Sequence, residues 1–362
     1  KRCLMVDKVV VIGSGPVGIV ISSLLNKAGI EVTILLRDKR DSRLNSPRTV
    51  KVKGAIKTDS SGVNYSSSPS SCIPDAKLVV IAASADFHEN IIHRIAPYLM
   101  RSTELILIPG RTFGALQVGK YLESECPNLR CPIIEFQTTP FSCRMVDGTV
   151  YVLSKKMCIG YSALNNRVWP TLEFERVFLS LFNLKRERST IITSLNNVGP
   201  MLHCPTIILN AGLISRGINV SEHQQFYTQH ISPAVAEMIA LVDNERVAIA
   251  KLLGLGDDVE NILDWGRMTY GFESNNLFQA LQENESYGTI LAPKTLQHRY
   301  IMEDIPTGLV PMEATASLVG LDTPMISSFI NLANGLLDAD FRYLGRTLDK
   351  FGVNTVGDLL EI

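Results

Sequence analysis

The run VGPMLHCPTIILNAG (198–212) holds one imidazole, His203, and almost no other ionisable group. Pro200 and Pro205 flank the ring, and apolar residues follow as far as Asn210. A titratable side chain in such surroundings is either a core histidine satisfied by a backbone carbonyl or an acid/base catalyst tuned by its environment. Asn210 lies 7 residues further on, about two helical turns. It could share a cleft with His203 and bind substrate, or it could cap and bridge helices.

A second group of residues points to phosphate chemistry. VVVIGSGPVG sets Gly13, Gly15 and Gly18 in the pattern G-x-G-x-x-G, with Ser14, Pro16 and Val17 between them. The first glycine permits the tight turn, the second lets backbone approach a pyrophosphate, and the third lets helix and strand pack closely. The helix N-terminus then offers free N–H groups to the phosphates. The pattern follows an apolar strand run (8–13), opens a helix (16–28) and precedes a second strand (31–36), which is the context the motif requires. A glycine-rich turn without a ligand is the plainer alternative.

The second strand ends TILLRDKR. A site for NAD usually carries an acid there for the ribose 2′-hydroxyl. Here Arg37, Lys39 and Arg40 would pair with a 2′-phosphate, which favours NADP over NAD, although Asp38 could turn inward. Ala82 and Ala83, at the end of the strand run 77–83, and Gly110, Arg111 and Thr112, after the run 104–110, follow strands on the same ligand edge. They are expected to meet the cofactor, the latter three at its nicotinamide end.

The elements that must position these groups change character along the chain. Strands alternate with helices through the first half, with helices over 86–100 and from about 112, as in a parallel sheet covered on both faces. The segment TDSSGVNYSSSPSSC (58–72) is too rich in Ser and Gly for a core element. The second half reads as helical, with helices over 203–215, 232–256, 323–337 and 339–350. In the long one Ser232 is a cap, and Val235, Ile239, Val242, Ile249 and Leu253 share a face. The expected organisation is an α/β N-terminal Rossmann domain (1–188) and an all-α C-terminal domain (189–362), hinged near 186–195 where strand-like TIITS gives way to helical spacing.

With 362 residues, 46% hydrophobic and 20% charged, the chain is long enough for two cored domains. A net charge of −1 does not favour nucleic acid as a partner. No run is apolar enough to span a bilayer. The 7 cysteines lack metal-site spacing and read as reduced thiols, so no metal is expected and the cytoplasm is the default location. A homodimer is left open.

Several segments, in order, resemble the octopine/nopaline (opine) dehydrogenase family: VIGSGPVG, PGRTFGAL, TPFSCR, MLHCPTIILNAG, FYTQHISPAVAEMIALVDNERVAIAKLLGL, RYIMEDIPTGLVP, LVGLDTPMI and GRTL. The resemblance spans nearly the whole chain. It implies a 6-phosphogluconate-dehydrogenase-like helical domain. It also implies a reaction in which an α-keto acid condenses with an amino acid and NAD(P)H reduces the imine. By the same resemblance His203 is the catalytic histidine, Asp304 the acid that orients it, and Arg299 the arginine that binds a substrate carboxylate. Cys204 departs from the proline more usual beside the histidine, which should alter packing more than chemistry. Gln137, Thr138, Thr139 and Cys143 match a loop that lines the amino-acid pocket. Gln137 stands where members that take a cationic amino acid place an acid, so a cationic side chain would need another partner such as Glu135.

Two other readings compete. A ketopantoate-reductase-like or hydroxyacid enzyme would reduce a C=O without an amine. Such enzymes often use a lysine acid, and none occurs in 198–212 or 299–311. A non-catalytic NADP(H) sensor would keep the glycines without needing His203, Arg299 and Asp304 together.

Overall fold

The computed structural model describes residues 8–46, 49–164, 172–217 and 225–362. The chain divides into two compact units. One comprises residues up to Gly110, Gly114–Thr190 and Ile362; the other comprises Arg111–Phe113 and Ile191–Glu361.

In the first unit the strands are β1 (Lys8–Ile12), β2 (Glu31–Leu35), β3 (Lys51–Gly54), β4 (Thr58–Asp59), β5 (Asn64–Ser66), β6 (Leu78–Ile81), β7 (Glu104–Leu107), β8 (Ile133–Phe136), β9 (Phe141–Val146), β10 (Thr149–Lys155), β11 (Ile159–Ala163) and β12 (Leu184–Arg186). The main sheet has the order β12-β11-β8-β7-β6-β1-β2-β5, and a smaller sheet has the order β4-β3-β10-β9. From β8 to β5 the main sheet is parallel, and β11 joins antiparallel to β8. Val9–Val11, Val32, Ile34 and Leu78–Ile81 are buried, which is why these runs are continuously apolar. The registers pair Ile12 with Leu35 and with Ile81, and Ile81 with Leu107. The strands therefore end level, and Gly13, Leu36, Ala82 and Ile108 leave from one edge. Strand order reverses at β1, where doubly wound sheets open a ligand crevice.

The Ser/Gly-rich segment 58–72 is more ordered than its composition suggests. It supplies β4, the edge strand β5 and a short helix, Pro69–Cys72. Edge strands tolerate polar residues because one side needs no apolar partner. TIITS, strand-like in sequence, folds as the helix Thr190–Leu195. Burial of Ile191, Ile192 and Leu195 outweighs the β preference of its branched residues.

The second unit is helical. The helix bearing His203 runs Gly199–Leu209, with Pro200 in its first turn. It begins earlier than its apolar spacing implies, and a separate helix, Ala211–Ser215, follows it. The expected 339–350 helix is reduced to Phe341–Leu344 and a turn, Asp349–Phe351. Gly345 separates them, and a Cβ there would lie 2.5 Å from Val310 Cγ1. The longest helix is Pro233–Leu252, capped by Ser232. Its Glu245 accepts the N–H groups of Met325 and Ile326, each at 2.8 Å, so a carboxylate satisfies the first turn of Pro324–Leu337. Among the described residues no helix is long and apolar enough to cross a membrane.

Charge also lies inside the Pro233–Leu252 face that packs inward. Arg246, fully buried, donates to Asp243 Oδ1 at 2.8 Å, Leu195 O at 2.7 Å and Glu260 O at 2.5 Å. Asp243 Oδ2 accepts the Ile262 N–H at 2.7 Å. The pair thus ties three segments together. Arg246→Met would leave Asp243 buried without its cation and two carbonyls without donors, and should destabilise the protein by about 3–5 kcal/mol. Urea denaturation checks this, and a loss within 1 kcal/mol would contradict it.

Candidate active site

The glycine turn of the first unit is built for a close approach. Gly13 has φ +126, and a Cβ on it would lie 2.3 Å from Ala82 O. A Cβ on Gly18 would lie 1.8 Å from Gly13 O. Around Gly15 nothing lies within 4 Å of a Cβ position, and the helix Pro16–Lys27 begins directly after it. Backbone N–H groups and open space at a helix start suit a dinucleotide pyrophosphate. Ser14, Pro16 and Val17 are half-buried around this turn, and Ala82 donates its N–H to Ile12 O at 2.8 Å. Ala82 and Ala83 thus adjoin the turn.

Arg37, Lys39 and Arg40 are exposed beyond β2. Asp38 does not turn inward; it accepts the Arg40 N–H at 2.8 Å. The basic residue that reaches the glycine turn is Arg43, which donates to Ser14 Oγ at 3.0 Å. It is held by Asp41 through two bonds, at 2.9 and 2.6 Å, and lies 5.8 Å from the centre of the Tyr65 ring. Hydrogen bonding to Arg43 holds the Asp41 carboxyl at about 2. Sequence reasoning stopped at Arg40. The D-x-R spacing, which lets a capping aspartate fork its arginine, was the available signal.

The residues expected to line an amino-acid pocket each make local contacts. Gln137 is buried, and its Oε1 accepts the Gly160 N–H at 3.0 Å, so it ties β8 to β11. Glu135, also buried, accepts the Ala115 N–H at 2.8 Å and caps the helix Gly114–Glu125. Both bonds have one cause: a buried polar group at a strand end takes the nearest backbone N–H. Cys143 packs in the hydrophobic core. Thr138 accepts from Lys156 Nζ at 2.6 Å, and Thr139 donates to Phe141 O at 3.0 Å. Gly110 donates its N–H to Phe136 O at 3.0 Å.

The second unit gathers the remaining groups. His203 Nδ1 lies 2.6 Å from Asp304 Oδ2, although 101 residues separate them. Asp304 follows the short helix Arg299–Met302 and precedes a π-helical turn, Ile305–Leu309. Gly308 in that turn allows the contact, since a Cβ would lie 2.2 Å from Pro200 Cγ on the histidine helix. Tyr300 stacks on the imidazole, ring centres 4.1 Å apart. Cys204 Sγ donates to Tyr300 O at 3.4 Å, a contact that proline at this position has no donor to make.

Arg111 and Thr112, expected at the cofactor, belong to this unit. The Arg111 guanidinium donates to Glu303 Oε1 at 3.2 Å and to Asn197 Oδ1 at 3.3 Å, and lies 3.6 Å from Asp304 Oδ1. Thr112 Oγ1 donates to Ser194 O at 3.3 Å and accepts from Asn197 Nδ2 at 3.2 Å. Buried carboxylates demand a cation, and Arg111 is the one that reaches both. Arg299 pairs with Glu303 Oε2 at 2.8 Å and keeps 46% of its side chain exposed. Glu303 escaped the sequence reading, although its i,i+4 spacing from Arg299 is an ion-pair spacing. Asn210 donates to Thr206 O at 2.8 Å and His230 O at 2.9 Å. Of its two readings, the bridging one describes these bonds.

The electrostatics follow from burial. Burial pushes the His203 ring below its ordinary 6.5, against the pull of Asp304. Burial alone would raise the Asp304 carboxyl, but Arg111, then His203 and Arg299, outweigh it and hold it at about 2. Glu303 raises Arg299 above the ordinary guanidinium range. A neutral imidazole fixed by a carboxylate can accept a proton at its other nitrogen and, once charged, deliver it.

A family model, NAD/NADP octopine/nopaline dehydrogenase, alpha-helical domain, matches residues 187–337. An FAD binding domain model matches 7–54, the glycine turn with its flanking strands, a unit that dinucleotide-binding enzymes share. An opine dehydrogenase of Arthrobacter sp. is 33% identical over 286 residues, 78% of this chain and 77% of its own. Vitopine synthase of Allorhizobium ampelinum is 28% identical over 279 residues, 76% of this chain and 74% of its own. The solved structure of octopine dehydrogenase with NADH and agmatine matches in fold, with a TM-score of 0.81 at 21% identity over 98% of each chain.

Two imidazoles lowered by burial set an acid-side stability limit. Burial lowers His230 as well as His203, and among the described residues neither ring nitrogen of His230 has a hydrogen-bond partner. A lowered histidine binds its proton more readily in the unfolded chain. Its contribution is therefore complete above pH 6.5 or so and is lost as pH falls toward the folded value. Each ring should add up to about 1.4 kcal/mol per pH unit to the slope below pH 6.5. Denaturation across pH 5–8 should show a shallower slope for His230→Phe, and an unchanged slope would contradict this.

Proposed function

The chain belongs to the octopine/nopaline (opine) dehydrogenase family of NAD(P)-dependent oxidoreductases, and on that premise we propose how its own residues divide the work of joining an α-keto acid to an amino acid. The amine adds to the keto carbon, the resulting hydroxyl leaves as water, and reduction of the imine gives a secondary amine bearing two carboxylates. When bound, the nicotinamide supplies the hydride for that reduction.

His203 is the acid/base. Asp304 holds its Nδ1, which leaves Nε2 to deliver the proton that the departing hydroxyl needs. Arg299 binds the keto-acid carboxylate through the exposed part of its guanidinium, in the forked geometry that suits carboxylates. Arg111 keeps Asp304 ionised. The observation that carries this reading is the 2.6 Å His203–Asp304 contact, joined through Arg111 and Glu303 to the half-exposed Arg299.

The glycine turn would hold the pyrophosphate. Its surroundings favour NADP. Arg37, Lys39, Arg40 and Arg43 follow β2, and Asp38 and Asp41 are each engaged by an arginine instead of being offered to a 2′-hydroxyl. NAD is the alternative. The six described cysteines are all thiols, the state that the cytoplasm maintains, and we place the enzyme there.

The test is oxidation of NADPH and NADH with panels of keto acids, each with and without amino acids. Oxidation should require both substrates, and His203→Ala should lower kcat by about a hundredfold or more. Arg43→Ala should raise KM for NADPH by roughly tenfold relative to NADH, the worth of one charge-assisted bond. Oxidation with a keto acid alone would make the protein a carbonyl reductase, and an equal effect of Arg43→Ala on both cofactors would remove the preference for NADP.

A further inference from the structure

The groups around His203 form a chain of alternating charge. Arg299 meets Glu303 at 2.8 Å, Glu303 meets Arg111 at 3.2 Å, Arg111 meets Asp304 at 3.6 Å, and Asp304 meets His203 at 2.6 Å. Two guanidinium groups and two carboxylates cancel. His203 is the member whose charge changes near neutral pH. The middle of the chain is dry: Glu303 and Asp304 are at most 1% exposed and Arg111 is 8% exposed. Its ends reach the surface, Arg299 at 46% and His203 at 14%. The other rings against His203 are Tyr300 and Tyr227, at 4.1 and 6.2 Å. Burial pushes the neighbouring Cys204 thiol up. His298, edge-on to Tyr300 at 4.5 Å, is a second imidazole close by.

We infer that Glu303 is a positioning residue that balances the charge of Arg299 and so makes binding of the keto-acid carboxylate and protonation of His203 a single linked event. The inference rests on the reading of Arg299 as the carboxylate anchor. With Arg299 already cancelled by Glu303, an arriving monocarboxylate adds one uncompensated negative charge to a poorly solvated cluster. One proton on His203 removes it. Keto acid and proton therefore enter together: neutral enzyme, carboxylate and proton give a complex with His203 charged and the cluster neutral. Linkage makes the effect reciprocal, so a protonated ring binds the carboxylate more tightly. The acid that imine formation needs arrives with the substrate that needs it.

Oxamate, an unreactive monocarboxylate shaped like a keto acid, is the probe. The full chain, saturated with the reduced cofactor it prefers, is titrated calorimetrically from pH 5.5 to 9 in buffers of different ionisation enthalpy. The expected result is uptake of close to one proton per oxamate at pH 8, with Kd rising about tenfold per pH unit above the pKa of the ring. His203→Asn should abolish uptake; persistence there would assign the proton to another group, His298 included, and overturn the inference. Glu303→Gln leaves the cluster one charge more positive. It should lose proton uptake at pH 8 and bind oxamate there at least tenfold more tightly than the native chain. Arg111→Gln moves the balance the other way and should shift the midpoint of uptake to higher pH. It also decides the matter if Glu303→Gln does not fold, because an unmoved midpoint overturns the inference. Equal weakening by Glu303→Gln at every pH with uptake unchanged would mean a packing role alone. Oxamate binding without proton uptake in the native chain overturns this inference only, whereas no binding at any pH overturns it together with the keto-acid reading of Arg299.

Discussion

A carboxylate without access to water needs counter-charge, and Asp304 has three cations or potential cations around it. Arg111, His203 and Arg299 each stabilise its ionised form against the burial that would protonate it. That requirement organises the helical unit. The histidine helix must come close enough for a 2.6 Å contact, which is why glycine stands at 308 against Pro200. Arg111 must arrive from a distant part of the sequence, and Arg299 and Glu303 must share one helical face. If any of these is removed, a buried charge loses its partner, and that is costlier than never having buried the charge.

The segment carrying Arg111 shows the strain this demands. Arg111 and Phe113 both have positive φ, 62 and 60, a region that residues with a Cβ seldom occupy. Neighbours hold them there. Thr112 donates its N–H to Thr307 O at 3.1 Å, Phe113 donates to Ser194 Oγ at 2.9 Å, and Arg346 donates to Thr112 O at 2.8 Å. Strained backbone persists where the surroundings over-determine it, and such places tend to be functional.

What could be read from sequence was whatever depended on local spacing. The glycine turn, the buried parallel strands and the capped helix Pro233–Leu252 all follow from residues within one or two turns of each other. His203, Asp304 and Arg299 were legible only through family resemblance, because no local rule joins residues 101 apart. The carboxylate partners of Arg111 were hidden for the same reason. Arg111 follows a strand on the ligand edge, which suggests cofactor, and its guanidinium answers two carboxylates far along the chain. The backbone bonds of Gln137 and Glu135 to the N–H groups of Gly160 and Ala115 were equally beyond local reading. TIITS misled because its β-branched residues favour a strand until tertiary burial is counted.

We propose that His203, oriented by Asp304, is the proton donor in the reductive direction and the acceptor in the reverse. The most direct test is the pH dependence of kcat in both directions on one preparation, with isotope effects to establish that chemistry limits the rate. Opposed profiles are expected: reductive turnover falls as His203 loses its proton, oxidative turnover rises over the same range, and Asp304→Asn displaces both together. Flat profiles in both directions, with chemistry rate-limiting, would contradict it and leave His203 a buried ring held in place by Asp304.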